Sequence, residues 1–209
     1  MFEKIVERFK KSPYFWSAVI SMIVITILTP MTRRVPEPPP VVGTVPEFTL
    51  TGPDGNPFGS KQLEGKAYIA SFIFTRCQSI CPMIVQHLTK LQARILHDKI
   101  PLVLVSVTVD PENDTPSVLK TYGEKSGANS STWTFLTGSR ETLTHVVEKG
   151  FMVGMGAPTV VNGLMDIAHS QKLILVDNKG RVRGYYDATS EGTEEIYARA
   201  EAVVGETLL

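Results

Sequence analysis

The stretch Ala67 to Thr75 reads Ala-Tyr-Ile-Ala-Ser-Phe-Ile-Phe-Thr, mostly apolar and without a charge. A strand with one face in water alternates apolar and polar residues, so a run without that alternation is expected to be covered on both faces. That requirement points to a sheet layered between helices. The next residues, Phe74-Thr75-Arg76-Cys77-Gln78-Ser79-Ile80-Cys81-Pro82, hold both cysteines of the 209-residue chain. Pro82 suits the first turn of a helix, and Met83, Ile84, Leu88, Leu91, Ile95 and Leu96 follow at helical spacing. All the thiol of the chain is therefore placed on one strand-to-helix loop.

The remaining pattern alternates in the same way. Phe48 to Leu50 and a partner near Phe58 flank the turn residues Gly52-Pro53-Asp54-Gly55-Asn56-Pro57 and predict a hairpin. Leu102 to Val109 reads as a second buried strand. Asp114-Thr115-Pro116 opens a helix through about Lys125, with Asp114 or Thr115 as cap. Thr132 to Leu136 is a short strand, and Ser139 to Lys149 a helix closed by Gly150. Lys172 to Val176 and Val182 to Tyr186 are strands around Asp177-Asn178-Lys179-Gly180, and Glu191 to Val204 is a final helix. Gly154-Met155-Gly156 and Asn162 to Ala168 read as loops. The expected class is α/β, a central sheet flanked by helices with an N-terminal β-hairpin.

The N-terminus is different material. Lys4, Arg8, Lys10 and Lys11 precede an uncharged apolar run from Tyr14 to about Pro30, near the lower length limit for crossing a bilayer. The basic residues ahead of it bias the N-terminus toward the cytoplasm, and Tyr14, Phe15 and Trp16 suit an interface. No small-x-small cleavage site follows, which favours an uncleaved anchor over a signal peptide. Val35-Pro36-Glu37-Pro38-Pro39-Pro40 then reads as a stiff spacer. The expected organisation is a basic stub (1–13), one transmembrane helix (14–31), a proline-rich linker (32–41) and a single globular domain (42–209). The domain faces the periplasm or exterior of a bacterial cytoplasmic membrane. Glu3 and Glu7 argue against a mitochondrial transit peptide.

Charge narrows the function. Lys and Arg total 21 and Asp and Glu total 21, so no basic field for nucleic acid exists. The absence of a G-x-G-x-x-G run, a P-loop and a G-x-S-x-G elbow leaves nucleotide-binding and serine hydrolase chemistry without a motif. The cysteines remain. A disulfide closing so short a loop would constrain the unfolded chain little, so structural stapling explains them poorly. A thiol at a helix N-terminus is biased toward thiolate, with Arg76 as a nearby cation, and two thiolates on one turn suit Cu(I). A third ligand is wanted. His87, His97 and His145 lie on helices and read as surface residues, whereas His169 stands ahead of the strand Lys172 to Val176. It could approach the cysteine loop if that strand neighbours Ala67 to Thr75.

Several segments in order resemble the Sco/SenC family. They are Phe74-Thr75-Arg76-Cys77-Gln78-Ser79-Ile80-Cys81-Pro82, Ser106 to Pro116 with its Asp110-Pro111-Glu112-Asn113-Asp114-Thr115-Pro116, Trp133 to Gly138, and His169-Ser170 before Leu173 to Asp177. The resemblance covers about residues 42 to 206. It implies a membrane-anchored, thioredoxin-like copper chaperone that binds copper, as Cu(I) or Cu(II), through Cys77, Cys81 and His169. The implied task is delivery to the CuA site of cytochrome c oxidase during assembly. The implied partners are the oxidase's copper-binding subunit or another cuproprotein, and a thiol reductant. Asp110 and Asp114 fall in the family's aspartate-proline segment; by their own pattern they read as turn and helix-capping residues rather than ligands, with Asp110, at the end of a strand, in a position to support a ligand. Three positions depart from many relatives: Gln78 and Ser79 stand in place of proline and aspartate, and Ala168 in place of an acidic residue beside the histidine.

The alternative is a membrane-anchored thiol-disulfide reductase that keeps the cysteines of exported or oxidase-subunit proteins reduced. It would use Cys77 and Cys81 as its redox pair and need no His169. A peroxide-reducing thiol protein of related fold is a third reading.

Overall fold

A computed structural model describes residues 13–32, 37–161 and 164–207. Within these ranges the side chains of residues 27–32, 157, 158, 160, 161, 164–166, 168, 169 and 207 lie outside the described part. The chain divides into two units, residues 1–35 and 36–209.

Of the first unit, helix α1 (Pro13–Thr32) is described. Tyr14, Trp16, Ile20, Met22, Ile23, Val24 and Ile25 are all exposed on it. It is apolar around its circumference, a pattern that a helix with one solvated face does not carry. Among the described residues no helix is long and apolar enough to cross a membrane. The apolar run of the sequence continues through Ile27 and Leu28, which lie outside the described side chains. Of the basic stub only Pro13, which begins α1, is among the described residues.

The second unit is built on β4 (Ala67–Ile73), in which every residue is buried, as its uncharged run requires. It pairs in parallel with β5 (Leu102–Thr108) on one side, Ile69 opposite Leu104 and Ile73 opposite Thr108. On the other side it pairs antiparallel with β9 (Lys172–Val176), Tyr68 opposite Val176 and Ala70 opposite Ile174. Adding β1 (Gly43–Thr44), β6 (Trp133–Leu136) and β10 (Arg181–Asp187) gives a six-stranded sheet in the order β1-β10-β9-β4-β5-β6. The hairpin β2 (Thr49–Thr51) and β3 (Pro57–Gly59) forms a separate sheet, as its turn residues predict. A short helix, α2 (Ser60–Leu63), links it to β4.

Helix α3 (Cys81–Asp98) buries Cys81, Ile84, Val85, Leu88, Leu91, Gln92 and Ile95, the stripe expected from its spacing. Helix α4 (Pro116–Lys125) starts where Thr115, not Asp114, caps it by accepting the Val118 N–H at 3.4 Å. Helix α5 (Arg140–Thr144) is capped by Ser139 and widens into a π-helical turn over His145–Gly150, where one regular helix is expected from the sequence. The Phe151 N–H reaches back to the Val146 carbonyl at 3.0 Å. Phe151 thereby meets Phe72 and Phe48 edge-on, with ring centroids 5.6 and 6.2 Å away. Helix α6 (Ser190–Thr207) closes the unit and packs on α3, β4, β9 and β10.

Two expectations need correction. The segment expected as loops is a hairpin, β7 (Met155–Val161) and β8 (Leu164–His169), paired antiparallel with Thr159 opposite Asp166 and Val161 opposite Leu164. The end of the proline-rich segment is not a free spacer. Pro39 is buried, its carbonyl accepts from Arg183 Nε at 2.7 Å, the Glu37 carbonyl accepts from Arg199 at 3.1 Å, and the Val42 N–H reaches the Val182 carbonyl at 2.9 Å. Proline lacks an N–H but keeps its carbonyl, so a proline-rich strand can still dock as an acceptor.

Arg183 is itself buried, its Nη1 3.1 Å from Asp177 Oδ2 and 2.8 Å from Glu206 Oε2, while Arg181 Nε lies 2.7 Å from Asp177. Burial pushes the Asp177 carboxyl up. The N–H and guanidinium of Arg181, the N–H of Lys179 and the guanidinium of Arg183 outweigh it and hold the group below its ordinary value. A depressed folded value adds stability above the unfolded pKa of about 3.9 and loses it as acid carries the pH through the folded value. Asp177→Asn is expected to cost about 3 kcal/mol at neutral pH, as removal of one partner of a buried pair does. That cost should shrink below about pH 4. Denaturant unfolding across this range measures both, and a pH-independent cost would contradict an ionised network.

Candidate functional site

The junction of β4 and α3 holds Cys77 and Cys81, both free cysteines. Phe74 at its start is buried in the core, and its carbonyl accepts the Cys77 N–H at 3.2 Å. Cys81 is the first residue of α3, and Ile80, the capping residue, contributes no side-chain hydrogen bond. The sulfur of Cys77 instead accepts the Cys81 N–H at 3.3 Å, taking up one of the helix's unpaired first amides. It also lies 3.5 Å from Ser79 Oγ.

The two thiols are not equivalent. Cys77 keeps 7% of its surface exposed and Cys81 none. Burial pushes Cys77 up, but hydrogen bonds from the Cys81 thiol, the Ser79 hydroxyl and the N–H groups of both residues bring it below the ordinary thiol value. Cys81 is driven well above that value by burial first. Its hydrogen bond to Cys77 and the negative charge of Cys77 and Asp114 push the same way, against a bond with the Phe74 backbone. The cation expected beside the sulfurs is occupied elsewhere: Arg76 places Nη2 2.8 Å and Nε 3.1 Å from Asp110 Oδ2. Cys77 is activated by hydrogen bonds and the helix N-terminus, not by Arg76.

Asp110 and Asp114 are both buried beneath the loop. Asp110 holds Arg76 and accepts from Asn113 Nδ2 at 2.9 Å. Asp114 accepts the Thr75 N–H at 3.1 Å and the hydroxyls of Thr75 and Thr108. Burial pushes its carboxyl up, the bonds from Thr108 and Thr75 pull it down and the charge of Asp110 pushes it up, so the net value is raised. Thr75 and Thr108 are parts of this site that sequence reasoning did not single out. A signal existed, since Thr115-Pro116 already suffices to open α4 and leaves the Asp114 side chain without a capping task.

Of the histidines, His87 is half-buried on α3, His145 is exposed on the π turn, and His97 is exposed with Nδ1 2.7 Å from Asp98. His169 ends β8 opposite Met155, and its side chain lies outside the described part. Ile167, two residues earlier, is buried in the core. The antiparallel register of β4 and β9 puts the start of β9 at the end of the sheet where β4 exits into the cysteine loop. The backbone just before Lys172 is thus carried to that end, meeting the condition set by the sequence. Among the described residues no group of three or more His, Cys, Asp or Glu could hold a metal. Cys77 and Cys81 supply two soft donors. A cavity of about 950 Å³, lined among others by Phe48, Leu63, Tyr68 and Lys179, lies at the opposite end of β4 and takes no part in this chemistry.

The SCO1/SenC family model matches residues 38–205. A SCO1 protein homolog of Bacillus subtilis is 33% identical over 144 residues, 68% of this chain and 73% of its own length. The solved structure of BsSco, a member of the Sco family of cytochrome c oxidase assembly proteins in which a disulfide switch was identified, superposes with a TM-score of 0.70. It is 27% identical and covers 80% of this chain and 98% of its own. The Arabidopsis thaliana ScoI structure with copper bound gives a TM-score of 0.65 at 25% identity, over 76% of this chain and 98% of its own. The central sheet, the dithiol loop at the β4–α3 junction and the family match over nearly the whole second unit lead to one conclusion: the chain belongs to the SCO1/SenC family.

Proposed function

We propose that the protein is a copper chaperone that carries copper on Cys77, Cys81 and His169 and delivers it to the CuA site of cytochrome c oxidase during assembly. The observation that carries this reading is the pair of free cysteines brought together at one helix N-terminus, in a family with copper-bound members. Thiolate sulfur is the donor type suited to Cu(I), and a neutral imidazole completes a three-ligand set. Both thiols are buried, but Cys77 keeps 7% of its surface at the solvent and Cys81 none, so Cys77 is the one a recipient's ligands meet first. Delivery by ligand exchange needs that access.

Joining the two sulfurs in a disulfide removes both donors and sends two electrons and two protons to an acceptor disulfide, so a thiol reductant is needed to restore carrying capacity. The disulfide switch identified in BsSco supports this second state of the pair. The same asymmetry, an activated Cys77 with a little exposure and a fully covered Cys81, also serves the reductase reading, which needs no His169.

For the first unit, we propose a membrane anchor. The basic residues before α1 and its all-round apolar surface support an N-terminus in the cytoplasm and a domain on the periplasmic or outer side. Carbonate extraction is expected to leave the full chain with the membrane and to release a chain lacking residues 1–34. Release of the full chain would exclude an integral anchor.

Anaerobic Cu(I) titration of the reduced protein against a chromophoric chelator separates the two readings. One copper per chain is expected, with retention about 100-fold weaker in His169→Ala, since even partners of ligands shift metal affinity 10–100-fold. Equal retention in the variant, or none in either, would favour disulfide exchange. Alkylation by iodoacetamide followed by mass spectrometry tests the asymmetry. Cys77 is expected to react first, with its rate rising at a pH below that of an ordinary thiol, because its thiolate forms earlier. Faster modification of Cys81 would reverse the assignment.

A further inference from the structure

The position of Cys81 is secured by α3, whose Ile84, Leu88, Leu91 and Ile95 are buried. On its C-terminal side Cys77 is followed by the exposed Gln78 and Ser79, and its sulfur is met there by long sulfur hydrogen bonds, 3.3 Å to the Cys81 N–H and 3.5 Å to Ser79 Oγ, rather than by packing. Where its sulfur sits relative to Cys81 therefore depends on how Thr75 and Arg76 are held. Arg76 is half-exposed, so its bond to Asp110 is partly open to solvent. Thr75 is held from inside.

We propose that Asp114 is the positioning residue of the dithiol loop: its buried carboxylate ties the backbone two residues ahead of Cys77 to the end of β5 and the start of α4. The inference rests on the reading of Cys77 and Cys81 as the working pair. One oxygen takes the Thr75 N–H and the Thr108 hydroxyl, and the other takes the Thr75 hydroxyl. Thr108 Oγ1 in turn accepts the Asp110 N–H at 3.0 Å, and the Asp114 N–H donates to the Asp110 carbonyl at 2.9 Å. The exits of two adjacent parallel strands, which end in register at Ile73 and Thr108, are thus fastened to one side chain. Only an ionised carboxylate has acceptor capacity for three donors without offering one of its own, and such charge-assisted bonds are the stronger kind.

The consequence is preorganisation. Holding the chain ahead of Cys77 raises the effective concentration of its sulfur at Cys81, and both copper chelation by two sulfurs and disulfide closure draw on that quantity. Removing the carboxylate should weaken both together.

The test is a redox titration of the full chain in dithiothreitol buffers without metal. Closing the disulfide forms the Cys77–Cys81 S–S bond and transfers two electrons and two protons to oxidised dithiothreitol, giving its dithiol. Asp114→Ala is expected to lower the disulfide formation constant about tenfold, a shift of about 30 mV toward easier reduction. Cu(I) retention should fall by a similar factor. Asp114→Asn, which keeps one acceptor oxygen, should fall between. Asp177→Asn, at the far end of β9, should lower the melting temperature and leave the potential in place. An unchanged potential in Asp114→Ala, or an equal shift in Asp177→Asn, would overturn the proposal. Should Asp114→Ala not fold, Thr75→Val, which deletes one donor and keeps the shape, takes its place: a raised potential supports the proposal and an unchanged one overturns it. Because the potential is read without copper, a protein that retains no copper would defeat the chaperone reading and leave this result standing.

Discussion

Everything in the second unit depends on the burial of β4. With β5 on one side, β9 on the other and covered faces, none of its seven residues reaches solvent. Full burial of a Phe or Ile side chain contributes about 1.5–3 kcal/mol, and Ile69, Phe72 and Ile73 are all in that state. A strand so held gives a rigid platform at its C-terminal end. The dithiol loop begins there, and the antiparallel β9 begins beside it, so one strand sets the location of the thiols and of the chain around His169.

The two ends of the sheet are tied by different polar clusters. At the thiol end, Asp110 and Asp114 take donors from the loop and from Thr108. At the other end, Asp177, Arg181, Arg183 and Glu206 join the β9–β10 turn to α6 and, through the Pro39 carbonyl, to the incoming proline-rich segment. In both clusters the buried carboxylates are met by donors, Asp110 by Arg76, Asp114 by Thr75 and Thr108, and Asp177 by Arg181 and Arg183, which is the condition under which charge is tolerated away from water. Neither is an extension of the apolar core, and loss of Arg76 from the first would leave the buried Asp110 without its cation.

The chemistry follows from a division of labour between two like side chains. Cys81 is part of the core of α3 and is covered, while Cys77 lies on the loop, partly open, with its sulfur on a helix amide and a serine hydroxyl. The group beside that sulfur is the Ser79 hydroxyl, a neutral donor. The result is a pair of soft donors of unequal exposure, 7% for Cys77 and none for Cys81.

The sequence by itself determined the class of fold, the strands β4, β5, β9 and β10, helices α3, α4 and α6, and the loop that carries the cysteines. Each of these is a local pattern: an uncharged run, a 3.6-residue period, a proline or threonine at a helix start. It also determined the family, through the spacing of Cys77, Cys81, Asp110, Asp114 and His169. It left β7 and β8 unread, although Asn162-Gly163 between Val161 and Leu164 is a hairpin signal, because the neighbouring glycines argued for a loop. Only the tertiary structure decided that Arg76 serves Asp110, that Asp114 holds Thr75 and Thr108, that Pro39 docks on Arg183, and that Cys77 rather than Cys81 is the activated thiol. Those outcomes depend on which donors and acceptors meet across strands far apart in the chain, and no local period or propensity encodes that meeting.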